Sequence, residues 1–260
     1  MTRGPDAEPR SGGGEAPAGG APLTIALPKG RTLRPVATLL ERAGVVSTAA
    51  DTPRPLAAAL TDESRALVRP ARFGGQRLEL LLLKSDDVAT YVEYGTADLG
   101  VCGRDVLVER EVDVYYPVDL GIGRCRLVVA GRVDVDVASA QEGRMMRVAT
   151  KYPRTAAAHF AARGVQVEIV DVQGSVELAP IRGLADVIVD LVETGSTLAE
   201  NGLDVKEEIS RVSSVLVANR ASYKLRSAAI EPLVAALRAA LSARDERSPD
   251  GVGAGSTRPG

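Results

Sequence analysis

The sequence predicts an α/β protein of two lobes with an interlobe cleft. Two observations carry this. Short apolar runs of β type alternate with segments of helical period along most of the chain. That alternation is the mark of parallel or mixed sheets flanked by helices. The strands so counted number around ten, more than an open sheet commonly holds, and this favours two lobes over one.

The elements follow in order. Leu23 to Leu27 reads as a strand, followed by a helix near Leu33 to Ala43. Leu78 to Leu83 is a strand broken only by Glu79, with a helix near Val88 to Tyr94, and Asp98 to Val101 leads to Asp105 to Glu109. The pattern then resumes with strands at Leu127 to Ala130, Val148 to Thr150, Val167 to Val170 and Ala185 to Val192. Helical stretches at Thr155 to Arg163 and Val176 to Leu184 lie between them. Val215 to Asn219 is a late strand, and Ile230 to Ala243 an amphipathic closing helix. The first lobe is expected over 22–112 with 221–244, the second over 113–220. Gly- and Pro-rich stretches at 1–21 and 245–260 are expected to be disordered tails.

Composition excludes several function classes. Lys and Arg number 32 against 34 Asp and Glu, so no bulk positive field exists to hold a nucleic acid, and any anion must be held locally. No apolar run approaches a membrane span, and the first 22 residues lack the apolar segment of an export signal. Cys102 and Cys125 sit in apolar runs without metal-ligand spacing, which suits a reducing, cytoplasmic setting. The single histidine, His159, reads as structural, which weakens any mechanism needing a histidine base.

The most informative stretch runs from Ala185 to Leu198: an apolar strand, the acidic residues Asp190 and Glu193, then Thr194-Gly195-Ser196-Thr197 opening a helix. Unpaired amides and the dipole at a helix start accept a phosphate. The three hydroxyls can donate further bonds, and Gly195 permits close backbone approach. Asp190 or Glu193 could then accept from sugar hydroxyls. Taken alone, the same residues would also make an ordinary N-cap. A second anion site is placed at Lys29-Gly30-Arg31, after the first strand. Lys151, Gly174, Ser175 and Glu177 follow other strand ends, where ligands of α/β sheets bind, although turn and capping roles would account for them equally.

Together these segments resemble the ATP phosphoribosyltransferase family. The resemblance spans nearly all of 22–224: LTIALPKGR at 23–31, YVEYGTADLGVCGRD at 91–105, DLGIGRCRLVV at 119–129, RVATKYP at 147–153, GSVELAP at 174–180, the phosphate loop within 183–202, and NRASYK at 219–224. It implies a fold like type II periplasmic binding proteins, and transfer of the phosphoribosyl group of phosphoribosyl pyrophosphate (PRPP) to N1 of ATP, the first step of histidine biosynthesis. Too little chain follows Lys224 for the regulatory domain of the long form. The short form is therefore implied, whose catalytic subunits form a hetero-oligomer with a regulatory subunit related to histidyl-tRNA synthetase.

By the same resemblance, Thr194, Gly195, Ser196 and Thr197 bind the 5′-phosphate, and Glu193 and Leu198 count among the substrate-binding residues. Asp190 and Glu177 hold ribose hydroxyls, and Lys29, Gly30 and Arg31 meet pyrophosphate or nucleotide phosphates, with Lys151, Gly174 and Ser175 nearby. Mg²⁺ is expected to be bound mainly through substrate oxygens, because no compact carboxylate cage is visible. The family's Arg and Pro are replaced here by Lys84 and Ala89, which puts a bidentate phosphate contact at that point in doubt. Two other readings stay open: a solute-binding module of the same fold, and a phosphoribosyltransferase for a different base.

Overall fold

The structure, a computed structural model, describes residues 21–48, 54–135, 137 and 145–245. The tails expected at 1–21 and 245–260 lie outside these residues, except for Ala21 and Asp245.

The chain opens with β1 (Leu23–Pro28), α1 (Leu33–Arg42), β2 (Val45–Ser47), α2 (Leu56–Leu60), β3 (Val68–Phe73), β4 (Gln76–Leu83), α3 (Ser85–Glu93), β5 (Leu99–Gly103) and α4 (Arg104–Arg110). The long strand β6 (Tyr115–Arg132) follows, then β7 (Met146–Thr150), α5 (Pro153–Ala161), β8 (Val167–Asp171), α6 (Leu178–Ile181), β9 (Val187–Val192) and α7 (Ser196–Glu200). A second long strand, β10 (Leu203–Ala218), leads to α8 (Arg220–Leu225) and α9 (Ser227–Asp245).

The strands form one hydrogen-bonded series, β2-β3-β4-β1-β5-β10-β6-β9-β7-β8. β1 runs parallel to β4 and β5, and β7 parallel to β8 and β9, while β10 is antiparallel to both β5 and β6. Strand count therefore does not divide the sheet; the cores do. In the first half Leu23, Ile25 and Leu27 of β1 face a cluster with α1 and α9, while Ala26 faces another with α3. In the second half Val187 and Val189 of β9 pack with Phe160 of α5, and Ile188 packs on the opposite face with Leu198 of α7. Strands buried on both faces read as continuous apolar runs, which is why β1 and β9 stood out in the sequence.

Helices cover these faces with ordinary stripes. Leu33, Val36, Ala37 and Leu40 of α1, and Ile230, Leu233, Val234 and Leu237 of α9, repeat at i, i+3, i+4, i+7 and are all buried in the same cluster.

The join between the halves lies inside β6 and β10. Val118, Leu120 and Ile122 belong to the first core, whereas Leu127 and Val129 belong to the second. The β6–β10 register shifts at Val212/Ser214 and Ser214/Val215, and β6 carries Gly121 and Gly123 at φ 58 and 64. A bulge here adds twist and turns one half against the other.

Two expectations are corrected. β6 and β10 are 18 and 16 residues long, far beyond the apolar cores at Leu127 to Ala130 and Val215 to Asn219. Their flanks carry exposed polar residues such as Arg124 and Arg211, which an apolar-run reading passes over. The helix expected over Val176 to Leu184 is only Leu178–Ile181, closed by Gly183 at φ 72.

Candidate functional site

The hydroxyl-rich loop is built by the end of β9. Gly195 sits at φ 88, ψ 0 as the residue before α7, a left-handed conformation that glycine adopts without Cβ strain. The first bond across the helix start runs from the Ala199 amide to the Gly195 carbonyl at 3.1 Å, so the amides of Ser196, Thr197 and Leu198 lie ahead of it. Thr194 Oγ1 stands 3.1 Å from Ser196 Oγ and 3.4 Å from the Ser196 amide. The loop thus presents amides and hydroxyls toward one concavity.

That concavity, of about 270 Å³, is lined by Asp190 to Leu198 together with Glu177 and Arg31. Asp190 accepts from the Leu191 amide at 2.8 Å. Burial pushes its carboxyl above the ordinary value; the Leu191 amide and Lys151 oppose this, while the nearby charges of Glu177 and Asp105 add to it. Glu177 is the N-cap residue of α6, and Ser175, two residues before it, holds φ 46, a positive value rare outside glycine.

A larger cavity of about 410 Å³ adjoins, sharing Arg31, Leu191 and Glu193 with the first. Lys29 and Arg31 reach it from the turn after β1, and Lys151 from the end of β7. Arg31 lies 3.6 Å from Glu193 across the opening, but both side chains are exposed, so this pair contributes at most about 1 kcal/mol. Across the base of the cleft Tyr152 of the second half donates to Asp105 of α4 at 2.8 Å. Burial raises the Tyr152 hydroxyl, with the Asp105 charge as the next cause, and keeps it a donor. Lys151 Nζ lies 5.1 Å from the Tyr152 ring centroid.

The structure therefore brings Asp190, Glu177, Glu193, Thr194, Gly195, Ser196, Thr197, Leu198 and Arg31 around one cavity, and Lys29, Arg31, Lys151 and Glu193 around its neighbour. Gly30, Gly174 and Ser175 line neither; they shape the turns that carry Arg31 and Glu177. Lys84 is exposed at the start of α3 and lines neither cavity, and Ala89 is fully buried. His159 lies apart, 2.8 Å from Glu207 on β10 and 3.0 Å from Arg163. Among the described residues no group of three or more His, Cys, Asp or Glu could hold a metal ion.

Sequence reasoning places Tyr152, with Thr150 and Lys151, at a strand end on the cleft face and Asp105 in a helix, but does not foresee that the two meet. Their pairing is 47 positions apart in the chain, and no spacing rule reveals it.

A two-lobed α/β fold whose cleft sets a hydroxyl-rich helix start opposite basic side chains defines a class of protein that grips phosphorylated ligands between its halves. The family profile described as ATP phosphoribosyltransferase matches residues 84–239. The chain belongs to the ATP phosphoribosyltransferase family. An ATP phosphoribosyltransferase of Sorangium cellulosum is 58% identical over 219 residues, covering 84% of this chain and 96% of the relative. One from Bordetella pertussis is 46% identical over 225 residues, covering 85% and 96%. Among solved structures, the ATP phosphoribosyl transferase (HisG:HisZ) complex from Thermotoga maritima is similar at a TM-score of 0.70 and 31% identity, covering 85% of this chain and 99% of that one. The periplasmic aliphatic sulphonate binding protein SsuA of Escherichia coli, at a TM-score of 0.53 and 13% identity over 86% of this chain and 74% of its own, shares the fold alone. Among the described residues no helix is long and apolar enough to cross a membrane.

Proposed function

We propose that this chain transfers the 5-phosphoribosyl group of PRPP to N1 of ATP, forming phosphoribosyl-ATP and pyrophosphate, the entry step of histidine biosynthesis. The observation that carries this reading is the single cavity in which the Thr194 to Thr197 loop meets Asp190, Glu177 and Arg31. A dianion seated on the loop amides leaves the attached ribose beside the two carboxylates.

The lone pair of adenine N1 forms the new bond to the anomeric carbon while the bond to pyrophosphate breaks, its electrons leaving with pyrophosphate. No base is needed to make N1 nucleophilic, so a cleft without histidine suffices. The barrier lies in charge separation: positive on the sugar, negative on the leaving group. Asp190 and Glu177 orient ribose hydroxyls and favour the cation-like sugar. Lys29, Arg31 and Lys151 neutralise the departing pyrophosphate, while Gly30, Gly174 and Ser175 set the turns that aim them. Glu193 and Leu198 complete the phosphate cavity. Mg²⁺ would be held mainly by the phosphate oxygens of the substrates, where it would offset the charge of the leaving pyrophosphate.

The chain acts in the cytoplasm, consistent with two free cysteines. It assembles with a regulatory subunit related to histidyl-tRNA synthetase, a reading supported by similarity to a two-component complex. Pyrophosphate release should require PRPP and ATP together and should rise when that subunit is added. Tight PRPP binding with no ATP-dependent release would instead favour a solute-binding module, and release with another base would name a different acceptor.

A further inference from the structure

Besides the two long strands, a second attachment joins the halves. α4 of the first half carries Asp105 and Glu109 four residues apart on one face, and that face meets the start of α5 in the second half. Tyr152 donates to Asp105 at 2.8 Å. Glu109, half-buried, accepts from the Arg154 amide at 2.8 Å through one oxygen, and from the Thr155 amide and hydroxyl at 2.9 and 2.7 Å through the other. Glu111, held at φ 52 where α4 ends, pairs with the Arg154 guanidinium.

α5 does not cap itself. Tyr152 stands at its N-cap position without a side-chain cap bond, and Pro153 opens the first turn. Orphan amides that a helix ordinarily satisfies with a neighbouring side chain are satisfied here by a carboxylate 45 and 46 positions away, whose charge also suits the helix dipole. Opening the cleft would strip all three donors from Glu109 at once. The β6–β10 bulges turn one half against the other, and the α4–α5 contact keeps that turn from widening.

The angle between the halves sets the span between cations. Lys151 stands between this clasp and Thr150, whose fully buried hydroxyl donates to the Val189 carbonyl at 2.6 Å and accepts from the Tyr152 amide at 2.9 Å. Lys29 and Arg31 enter the same cavity from the first half. Resting on the activity proposed above, we infer that Glu109 is a positioning residue: by capping α5 across the cleft it holds Lys151 opposite Lys29, so that both meet the charge developing on the leaving pyrophosphate. Glu109 lines neither the phosphate cavity nor the central one, so it acts through the segment it holds.

The test is steady-state pyrophosphate release by the full chain, with PRPP binding followed separately by titration. Glu109→Ala should lower kcat by roughly tenfold, the worth of a hydrogen bond to a charged group, while PRPP affinity, set by the loop on β9, stays within about twofold. Lys151→Ala should also lower kcat, and adding Glu109→Ala to it should cost less than about twofold more, because the two act as a unit. Losses that multiply overturn the route through Lys151. Thr155→Asp placed in the Glu109→Ala chain returns a carboxylate to the start of α5 without the tie to α4, and kcat should stay low. A restored kcat would reduce Glu109 to a helix cap and overturn the inference. Should Glu109→Ala fail to fold, Thr155→Val removes one donor of the three and should lower kcat about fivefold; an unchanged kcat counts against the clasp. Small-angle scattering reads the halves apart from turnover: the unliganded Glu109→Ala chain should show a larger radius of gyration than wild type, and an equal radius overturns the clasp. If wild type releases no pyrophosphate with PRPP and ATP, the proposed activity fails, while a larger radius in the variant still supports the clasp.

Discussion

The two walls of the cleft are built on opposite plans. On the second half, Asp190 and the hydroxyl loop sit on β9, a strand buried on both faces, and the loop is anchored by Leu198 in the core below. On the first half, Lys29 and Arg31 hang from a turn, and Arg31 is 85% exposed at its side chain. One wall therefore ties function to folding, and the other separates them. A pre-set acceptor needs burial to hold its place, whereas a cation can act from a solvated tether.

The largest expected effect breaks the buried wall from below. Ile188→Ala removes a fully buried side chain packed with Leu198, and should cost about 2–5 kcal/mol in denaturant unfolding. It should also weaken PRPP binding, because the loop loses its support. A loss of stability with unchanged PRPP affinity would show that the loop holds its shape without the core.

Asp190→Asn should lower kcat/KM a hundredfold or more, about 3 kcal/mol in the transition state. Stability should move the other way. Because burial raises the folded pKa, stability falls as pH rises from the ordinary carboxyl value through that raised value, and the loss vanishes only below the ordinary value. Thermal melts should find the variant more stable than wild type at pH 8, with the gap narrowing toward pH 4. A variant less stable at pH 8 would mean the carboxylate is satisfied rather than strained by burial.

Gly195→Ala tests the loop alone. Its nearest neighbour to a new Cβ is Val192 at 3.8 Å, an ordinary contact, so only the left-handed backbone objects, at about 1–2 kcal/mol. That cost should appear in both the melting temperature and the KM for PRPP. The smallest stability effect is expected on the other wall. Arg31→Gln should change stability by no more than about 0.5 kcal/mol while raising substrate KM, separating binding from folding where Asp190 cannot.

How much of this was legible before folding varied with burial. β1 and β9 were readable because parallel strands covered on both faces become uninterrupted apolar runs. β2 and β3 were not: the edge strand β2 has three residues, and β3 beside it, carrying Arg69, Pro70 and Arg72, gives no apolar run. The loop at Thr194 to Thr197 was legible since helix-start chemistry is local. The short α6 was over-read, because Val176 to Leu184 is apolar enough for a longer helix while Gly183 ends it.

By itself the sequence determined the alternation of strand and helix, the hydroxyl-rich turn before α7 and the family, each set by neighbours a few residues apart or by residue identity in collinear segments. Tertiary structure alone decided that the ten strands of the described residues share one hydrogen-bonded series across two cores, that Tyr152 meets Asp105 at the base of the cleft, and that Arg104 and Arg124 face a common cavity. The physical reason is the length of β6 and β10. Two strands long enough to serve both halves carry distant residues to the same place, and their bulges set the angle at which the walls face each other.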